Sequence, residues 1–569
     1  MPTSVTTEVS ATAATYAAVA DLEASRCDAS AKPQKNTWIM SASPCTNELS
    51  APPLTCSSEA APAAQVESNS YGQILKSSAL IGGSSVLNIV IGIVRTKAMA
   101  VLLGPAGFGL AGLYNSIADL GQSIAGMGVN SSGVRQIAGA VGSNDTERIA
   151  QTAAVLRRTS IALGVLGAAL LVAFSRQVST LTFGNSQHTA AVALLSIVVL
   201  FRLVSGGQGA LIQGMRHIAD LAKMGVLGAF FGTLISIPVV YFFREAGVVP
   251  SLICVAGTTI ITSWWYSRKI EVRTPSMTAS QVGQEAAALL KLGFAFMSSG
   301  LMTMGMAYAV RIIVLRKVGY EATGLYQSAW TLGGLYVGFI LQAMGADFYP
   351  RLTASAGDNA ACNRLVNEQA LVGLLLAGPG VIGTLAFTPL LIALFYSAKF
   401  GAAVGVLRWI CLGATLQVIT WPMGFIIVAK GRQNIFFMSE LAWTLVAAGL
   451  AWMCVGSFGV TGAGMAFFGS YAFHGFLTYP IVRSLSGFRW SRENKRTGLI
   501  FLSLIAAVFY GFYVLPLWLA ISAGACAAIL STVYSIRALT AHLPMDRIPP
   551  FARRLALRFS LVPGSGRVN

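Results

Sequence analysis

The sequence predicts an all-α polytopic membrane protein, and three observations carry that reading. Only 11% of its 569 residues are charged and its mean hydropathy is +0.67, where a soluble domain averages about 25% charged residues. Apolar windows of about 20 residues, the length that crosses a bilayer as a helix, recur along most of the chain. The basic residues gather in short loops between those windows. Barrel strands are excluded, because the apolar runs far exceed about 10 residues and do not alternate.

The windows fall near 78–101, 107–129, 155–175, 189–213, 222–243, 247–266, 289–313, 325–347, 367–390, 403–428, 434–455, 459–482, 498–515 and 517–537. That predicts about fourteen spanning helices. With the N-terminus inside, inner loops carry clusters such as Arg157-Arg158, Arg268-Lys269 and Lys495-Arg496. Outer loops then hold only Arg176, Arg244, Arg316, Lys317, Lys399 and Arg408. The bias favours both termini on the cytoplasmic side. It also accounts for the net charge of +18 without a nucleic-acid partner, since nothing resembles a groove-reading or base-stacking module.

Residues 1–70 are rich in Ala, Ser, Thr and Pro with no sustained apolar run, the composition of a disordered tail. The eight cysteines are scattered, with no CxxC and no Cys/His cluster, so neither a metal nor a disulfide framework is expected. The chain contains no Gly-Lys dipeptide and hence no GxxxxGK[ST] loop. No cofactor is implied. Transport, if that is the function, runs on an ion gradient, a substrate gradient or trapping of product.

The chain repeats itself. GLYNSIADLG at 112–121 matches GLYQSAWTLG at 324–333, and Val94-Arg95 matches Val310-Arg311. Arg135 and Arg148 are spaced as Arg351 and Arg364 are, and the offsets stay near 212–216. Six helices separate the copies, so both share one orientation, a parallel repeat about an axis along the membrane normal. The expected organisation is a six-helix lobe over 71–285, a second over 286–485, two extra helices over 486–540 and a basic tail over 541–569.

Ionisable groups at the centre of a membrane helix cost about 2.5–3.5 kcal/mol on insertion scales, so those present mark candidate sites. The first helix carries Asn88 and Arg95, seven apart and therefore on one face, and Lys97 roughly 200° round from Arg95. The second carries Asn115, Asp119 and Gln122 on one stripe. Arg202 lies in the fourth helix, Arg311 in the seventh, and Gln327 and Gln342 in the eighth. Glu440 and Gln417 add polar groups to the second half, where His474 reads as a packing residue. Two readings stay open for each: a wet, net-cationic cleft between the lobes, or snorkelling and interhelical pairing, for example of Arg95 or Lys97 with Asp119.

GPAGFGLAGLYNSIADLGQ at 104–122, following a first helix that ends in Arg95-Thr-Lys97, resembles the polysaccharide transporter branch of the multidrug/oligosaccharidyl-lipid/polysaccharide exporter superfamily, the O-antigen flippases. The loop after Gly209-Ala-Leu-Ile-Gln-Gly-Met-Arg216 is similar too, and the resemblance spans roughly 71–485. It implies twelve core helices in two lobes. It implies a flippase for undecaprenyl-diphosphate-linked oligosaccharide, an O-antigen or exopolysaccharide unit, in the bacterial inner membrane beside polymerase machinery. Lys97 matches a lysine of that family's first helix. Arg95, Arg202 and Arg311 are candidates by position alone. The helix pair near 498–537 departs from the twelve-helix pattern.

Two other functions remain in play. An ion-coupled exporter of drugs or cations would need a net acidic cleft. A membrane glycan polymerase or ligase would need a sizeable outer loop, and every outer loop here is short.

Overall fold

The computed structural model describes residues 63–143, 145–270 and 277–542, with side chains placed from Gly83 onward apart from a few positions near 295 and 345. Most of the expected tails, 1–62 and 543–569, lies outside the described residues. Residues 63–70 are the first turns of α1.

The described residues form sixteen α-helices and no strand. They are α1 (Ala63–Gly126), α2 (Val129–Gly142), α3 (Thr146–Ala173), α4 (Ser175–Phe183), α5 (Thr189–Gly214), α6 (Ile218–Phe243), α7 (Val248–Ser267), α8 (Ala279–Val318), α9 (Tyr320–Ala354), α10 (Asn359–Ala386), α11 (Thr388–Phe395), α12 (Ala403–Ala429), α13 (Gln433–Phe458), α14 (Val460–Ser486), α15 (Arg492–Val514) and α16 (Leu517–His542). The chain is a multi-pass membrane protein. Nine segments of the described residues are long and apolar enough to span, and two of them, Gly83–Gly126 and Ile218–Ser267, are long enough for two crossings each. Three expected spans, on α8, α9 and α14, fall short of that apolarity. They carry Arg311, Gln327 and His474 and are rich in Gly, Ser, Thr and Tyr, and all three border the interior sites described below.

Chain breaks follow backbone chemistry. α1 is two helices joined at Gly104, whose φ of 67° and ψ of −176° lie where essentially only glycine goes. Asp145 caps α3 through the Arg148 N–H at 2.9 Å, and Asp358 caps α10 through the Ala360 N–H at 2.8 Å. Thr278 and Gln281 form a reciprocal capping box at the start of α8.

The backbone carries the repeat more sharply than the sequence does. Positive-φ residues pair off at one spacing: Gly104 with Gly319, Arg216 with Gly431, and Arg244 with Gly459, each 215 residues apart. Helix adjacency repeats as well. α3 packs on α5 as α10 does on α12, α5 on α7 as α12 on α14, α6 on α7 as α13 on α14, and α1 on α6 as α8 on α13. This corrects the register of the sequence match: along the uninterrupted helices Gly109 corresponds to Gly324, Gly112 to Gln327, and Arg95 to Val310. The appended pair α15 and α16 packs on α10, where Phe501 fills the space over Gly378 and Ala386 the space over Gly524.

Equivalent residues of the two copies meet. A Cβ on Gly109 would lie 2.6 Å from the Gly324 nitrogen, Gly324 sits against the Pro105 carbonyl, and Gly112 lies against the Gln327 side chain. Glycine is required here so that two backbones can touch. At this Gly104 end His188 bridges the halves, with Tyr114 Oη 2.8 Å from Nδ1 and Tyr320 Oη 3.1 Å from Nε2. Arg316 donates to the Thr180 carbonyl at 2.5 Å and to that of Leu181, closing the C-terminus of α4. At the opposite end the halves meet through Gly128 against Gly293 and through Ser132 Oγ donating to the Leu289 carbonyl at 2.8 Å.

Candidate functional site

Between these two contacts, α1, α5 and α8 carry Arg95, Arg202 and Arg311, with Asp119 paired to Arg202 and within electrostatic reach of Arg311. Arg202 Nη1 donates to Asp119 Oδ1 at 2.5 Å and Nη2 to Asn115 Oδ1 at 2.8 Å, and Asn115 Nδ2 donates to Asp119 Oδ2 at 2.9 Å. The four-residue spacing of Asn115 and Asp119 puts both on one helix face, and Arg202 spans them from α5. The pair keeps side-chain exposures of 19% and 30%. It is therefore partly solvated and contributes modestly to stability.

Arg311, only 3% exposed, donates from Nε to Gln327 Oε1 at 2.7 Å and from Nη1 to the carbonyl of Ala307 at 2.8 Å. It attracts Asp119 across the interface. Arg95 is half-buried and repels Arg202. Among the described residues no carboxylate pairs with Arg95. Three cations to one anion leave the site strongly positive, and charge in a low-dielectric setting acts over longer distances than in water.

The other candidates are dispersed. Asn88 is half-buried beside Gly225, with its Oδ1 buried and unpartnered. Gln122 is half-buried one turn beyond Asp119. Gln327 is buried and also donates to Thr331 Oγ1 at 3.3 Å. Gln342 is exposed on α9. Lys97 is exposed and donates to the Leu394 carbonyl at the end of α11, outside the arginine group. The pairing foreseen for Asp119 with Arg95 or Lys97 is made by Arg202 instead.

The second half holds a cavity of about 150 Å³ at the equivalent place. Trp330, Trp443, Phe467 and Tyr471 form its aromatic walls, with Gln417, Glu440 and His474 between them. At the 215-residue spacing Trp330 stands where Asn115 does and Gln417 where Arg202 does. His474 Nε2 lies 3.8 Å from Glu440 Oε1. Its Nδ1 is buried with no partner among the described residues, as is Trp443 Nε1, so His474 is not the satisfied packing residue its apolar neighbourhood suggested. Aromatic residues in an apolar helix carry no sequence signal that separates a cavity wall from a lipid contact, and the cavity was invisible for that reason.

A family described as polysaccharide biosynthesis protein matches residues 98–405. The lipid III flippase of Escherichia coli (strain K12) is 22% identical over 416 residues, which are 70% of this chain and 95% of the relative. The Shigella flexneri lipid III flippase matches equally. Among solved structures, a lipid II flippase in an inward closed conformation aligns with TM-score 0.61 and 14% identity over 81% of this chain and 99% of its own. An inward-facing multidrug resistance transporter of the MOP superfamily aligns with TM-score 0.55 and 15% identity over 71% and 99%. The fold is that of these transporters.

Proposed function

This chain belongs to the polysaccharide biosynthesis protein family, and on that premise we propose that it flips a polyprenyl-diphosphate-linked oligosaccharide across the bacterial cytoplasmic membrane by alternating access. The observation that carries the reading is the cluster of Arg95, Arg202 and Arg311, drawn from both halves, with Asp119 as the carboxylate that pairs Arg202 and attracts Arg311. A diphosphate entering a bilayer needs paired cationic donors, and guanidinium offers two parallel N–H groups to phosphate oxygens. Asp119 holds Arg202 in place until the diphosphate competes for it. The E. coli and Shigella relatives are named lipid III flippases, which supports a lipid cargo.

In this reading the repeats at 71–285 and 286–485 are the two moving lobes, and Asn88, Asn115, Gln122, Gln327 and Gln342 are the polar lining of the path between them. Lys97 anchors the first helix to α11. Both termini are cytoplasmic, following the basic loops. The Gly104 contact is then the outer gate and the Gly128 contact the inner one. The cargo is an O-antigen or exopolysaccharide unit, handed on to polymerase machinery outside. The protein moves its substrate and does no covalent chemistry on it.

Flipping of a fluorescent polyprenyl-diphosphate glycan in proteoliposomes tests the proposal. The wild-type protein should move it, and Arg202→Glu should not while still inserting. Equal rates for both proteins would reject the cationic path. The half-buried Glu440 favours a second reading, an ion-coupled exporter of cations. Under it, loss of the protein would sensitise cells to cationic drugs and leave surface polysaccharide intact.

A further inference from the structure

We propose that the aromatic cavity of the second half is a saccharide subsite, which takes a neutral sugar ring of the cargo while the arginine group at the junction of the halves holds its diphosphate. The inference rests on the flippase reading above and adds a second, chemically distinct contact to it.

The argument starts from what the cavity could satisfy. Its walls are flat aromatic faces: Trp330 and Phe467 at 5.3 Å, Phe467 and Tyr471 at 5.0 Å, Trp443 and Tyr471 at 5.6 Å between centroids. Into that apolar surround it directs hydrogen-bonding groups of both kinds. Trp443 Nε1 can only donate, the Glu440 carboxylate only accepts, and the Gln417 amide beside Tyr471 does both. Trp443 Nε1 and His474 Nδ1 are buried and unpartnered, a deficit of about 1–3 kcal/mol for each group left unsatisfied.

Three occupants fit badly. An acyl chain would leave both nitrogens unpaired. A diphosphate would meet Glu440. A simple cation would pair with Glu440 but leave the indole N–H, which can only donate, unsatisfied. A pyranose fits: its C–H face packs on an aromatic ring, and each hydroxyl both donates and accepts around the rim. The space suits it as well. At about 10–15 Å³ per water on this measure, the 150 Å³ cavity holds on the order of ten waters, about the room of a substituted sugar ring.

Position ties this cavity to the arginines. Val310 and Ala307 line it, and Arg311 lies on the same helix beside them with Ala307 as its carbonyl partner. The cavity and the cationic site therefore share α8. A sugar in one and the diphosphate bonded to it in the other would engage both halves at once, so the cargo itself would couple them.

The test is native mass spectrometry of the detergent-purified full-length protein with two probes, polyprenyl diphosphate and polyprenyl-diphospho-N-acetylglucosamine. Wild type should bind the sugar-bearing lipid about tenfold more tightly, the effect of about 1.4 kcal/mol. Trp443→Ala should erase that preference and leave affinity for the bare diphosphate unchanged, Trp443→Phe should keep most of it, and Arg202→Gln should weaken both lipids alike. Gln417→Ala provides a second erasing variant if Trp443→Ala does not fold. Equal wild-type affinity for the two lipids, or a preference that survives both erasing variants, would overturn the subsite and leave the flippase reading intact. Failure of wild type to bind either lipid would sink both.

Discussion

The two halves of this protein share a backbone and differ in chemistry at the same place. Where the first presents Asn115 and Arg202 beside Asp119, the second presents Trp330 and Gln417 beside an aromatic cavity. Where the first has Gly225 and Thr259, the second has Glu440 and His474, at the common spacing of 215 residues that the paired positive-φ positions fix. A duplicated scaffold thus needs no symmetric site. On the proposals above, one copy serves an anion and the other a group with both an apolar face and hydroxyls, which would match a cargo with a charged joint and a neutral head.

The sharpest way to break this comparison is to reverse the charge of the arginine site. Arg311→Glu should cut surface polysaccharide by about a hundredfold or more, since opposing a buried charge costs about 3–5 kcal/mol, and the more exposed Arg202→Glu by about tenfold or more, the scale of a lost hydrogen bond to a charged group, with both proteins still found in the membrane fraction. Normal polysaccharide in both strains would show that the arginines serve packing alone.

Next in size is the contact where equivalent residues meet. Gly324→Val places a branched side chain against the Pro105 carbonyl and the Gly109 backbone. We expect export to fall about tenfold, of the order of the 1–3 kcal/mol typical of overpacking. Wild-type export in this variant would mean that the Gly104 end need not close.

Glu440→Gln separates the two readings of the second half. Glutamine keeps an acceptor for hydroxyls and removes only the charge, so polysaccharide should stay within about threefold of normal, the scale of one modest hydrogen bond. A cation exporter would be disabled instead, and drug sensitivity with intact polysaccharide would favour that alternative.

The smallest expected effect concerns pH. Burial against Phe183 holds the His188 imidazole below its ordinary value, which is about 6.5. The folded protein thus keeps His188 neutral, and its contribution to stability is complete above about pH 6.5. That contribution is lost as pH falls through the lowered folded value. The melting temperature of the purified protein should drop between pH 7 and 5, and His188→Phe should flatten that slope. An unchanged slope would remove His188 from the account.

The fold was legible in the sequence because a bilayer leaves few options: long apolar windows must be helices, and basic loops follow them. The repeat was legible only roughly. The matching Gly-Leu-Tyr motifs lie 212 residues apart while the backbones correspond at 215, because three more residues separate Gly104 from its Gly-Leu-Tyr than separate Gly319 from its own. The ionic site was half legible. Asn115 and Asp119 share a stripe by helical periodicity, but that Arg202 would reach them, and Lys97 turn outward to α11, depends on how helices pack, which periodicity does not encode. The aromatic cavity was not legible at all, since Trp443 and Tyr471 in an apolar run look the same whether they face lipid, core or ligand.

The most direct test of the central claim is to ask whether one position beside the arginines is reached from each face of the membrane in turn. Asn115→Cys in a cysteine-free background, treated with a membrane-impermeant thiol reagent, should be labelled from the cytoplasmic face and, in a separate population, from the outer face. A site protected from both faces, with and without lipid-linked glycan present, would contradict the account.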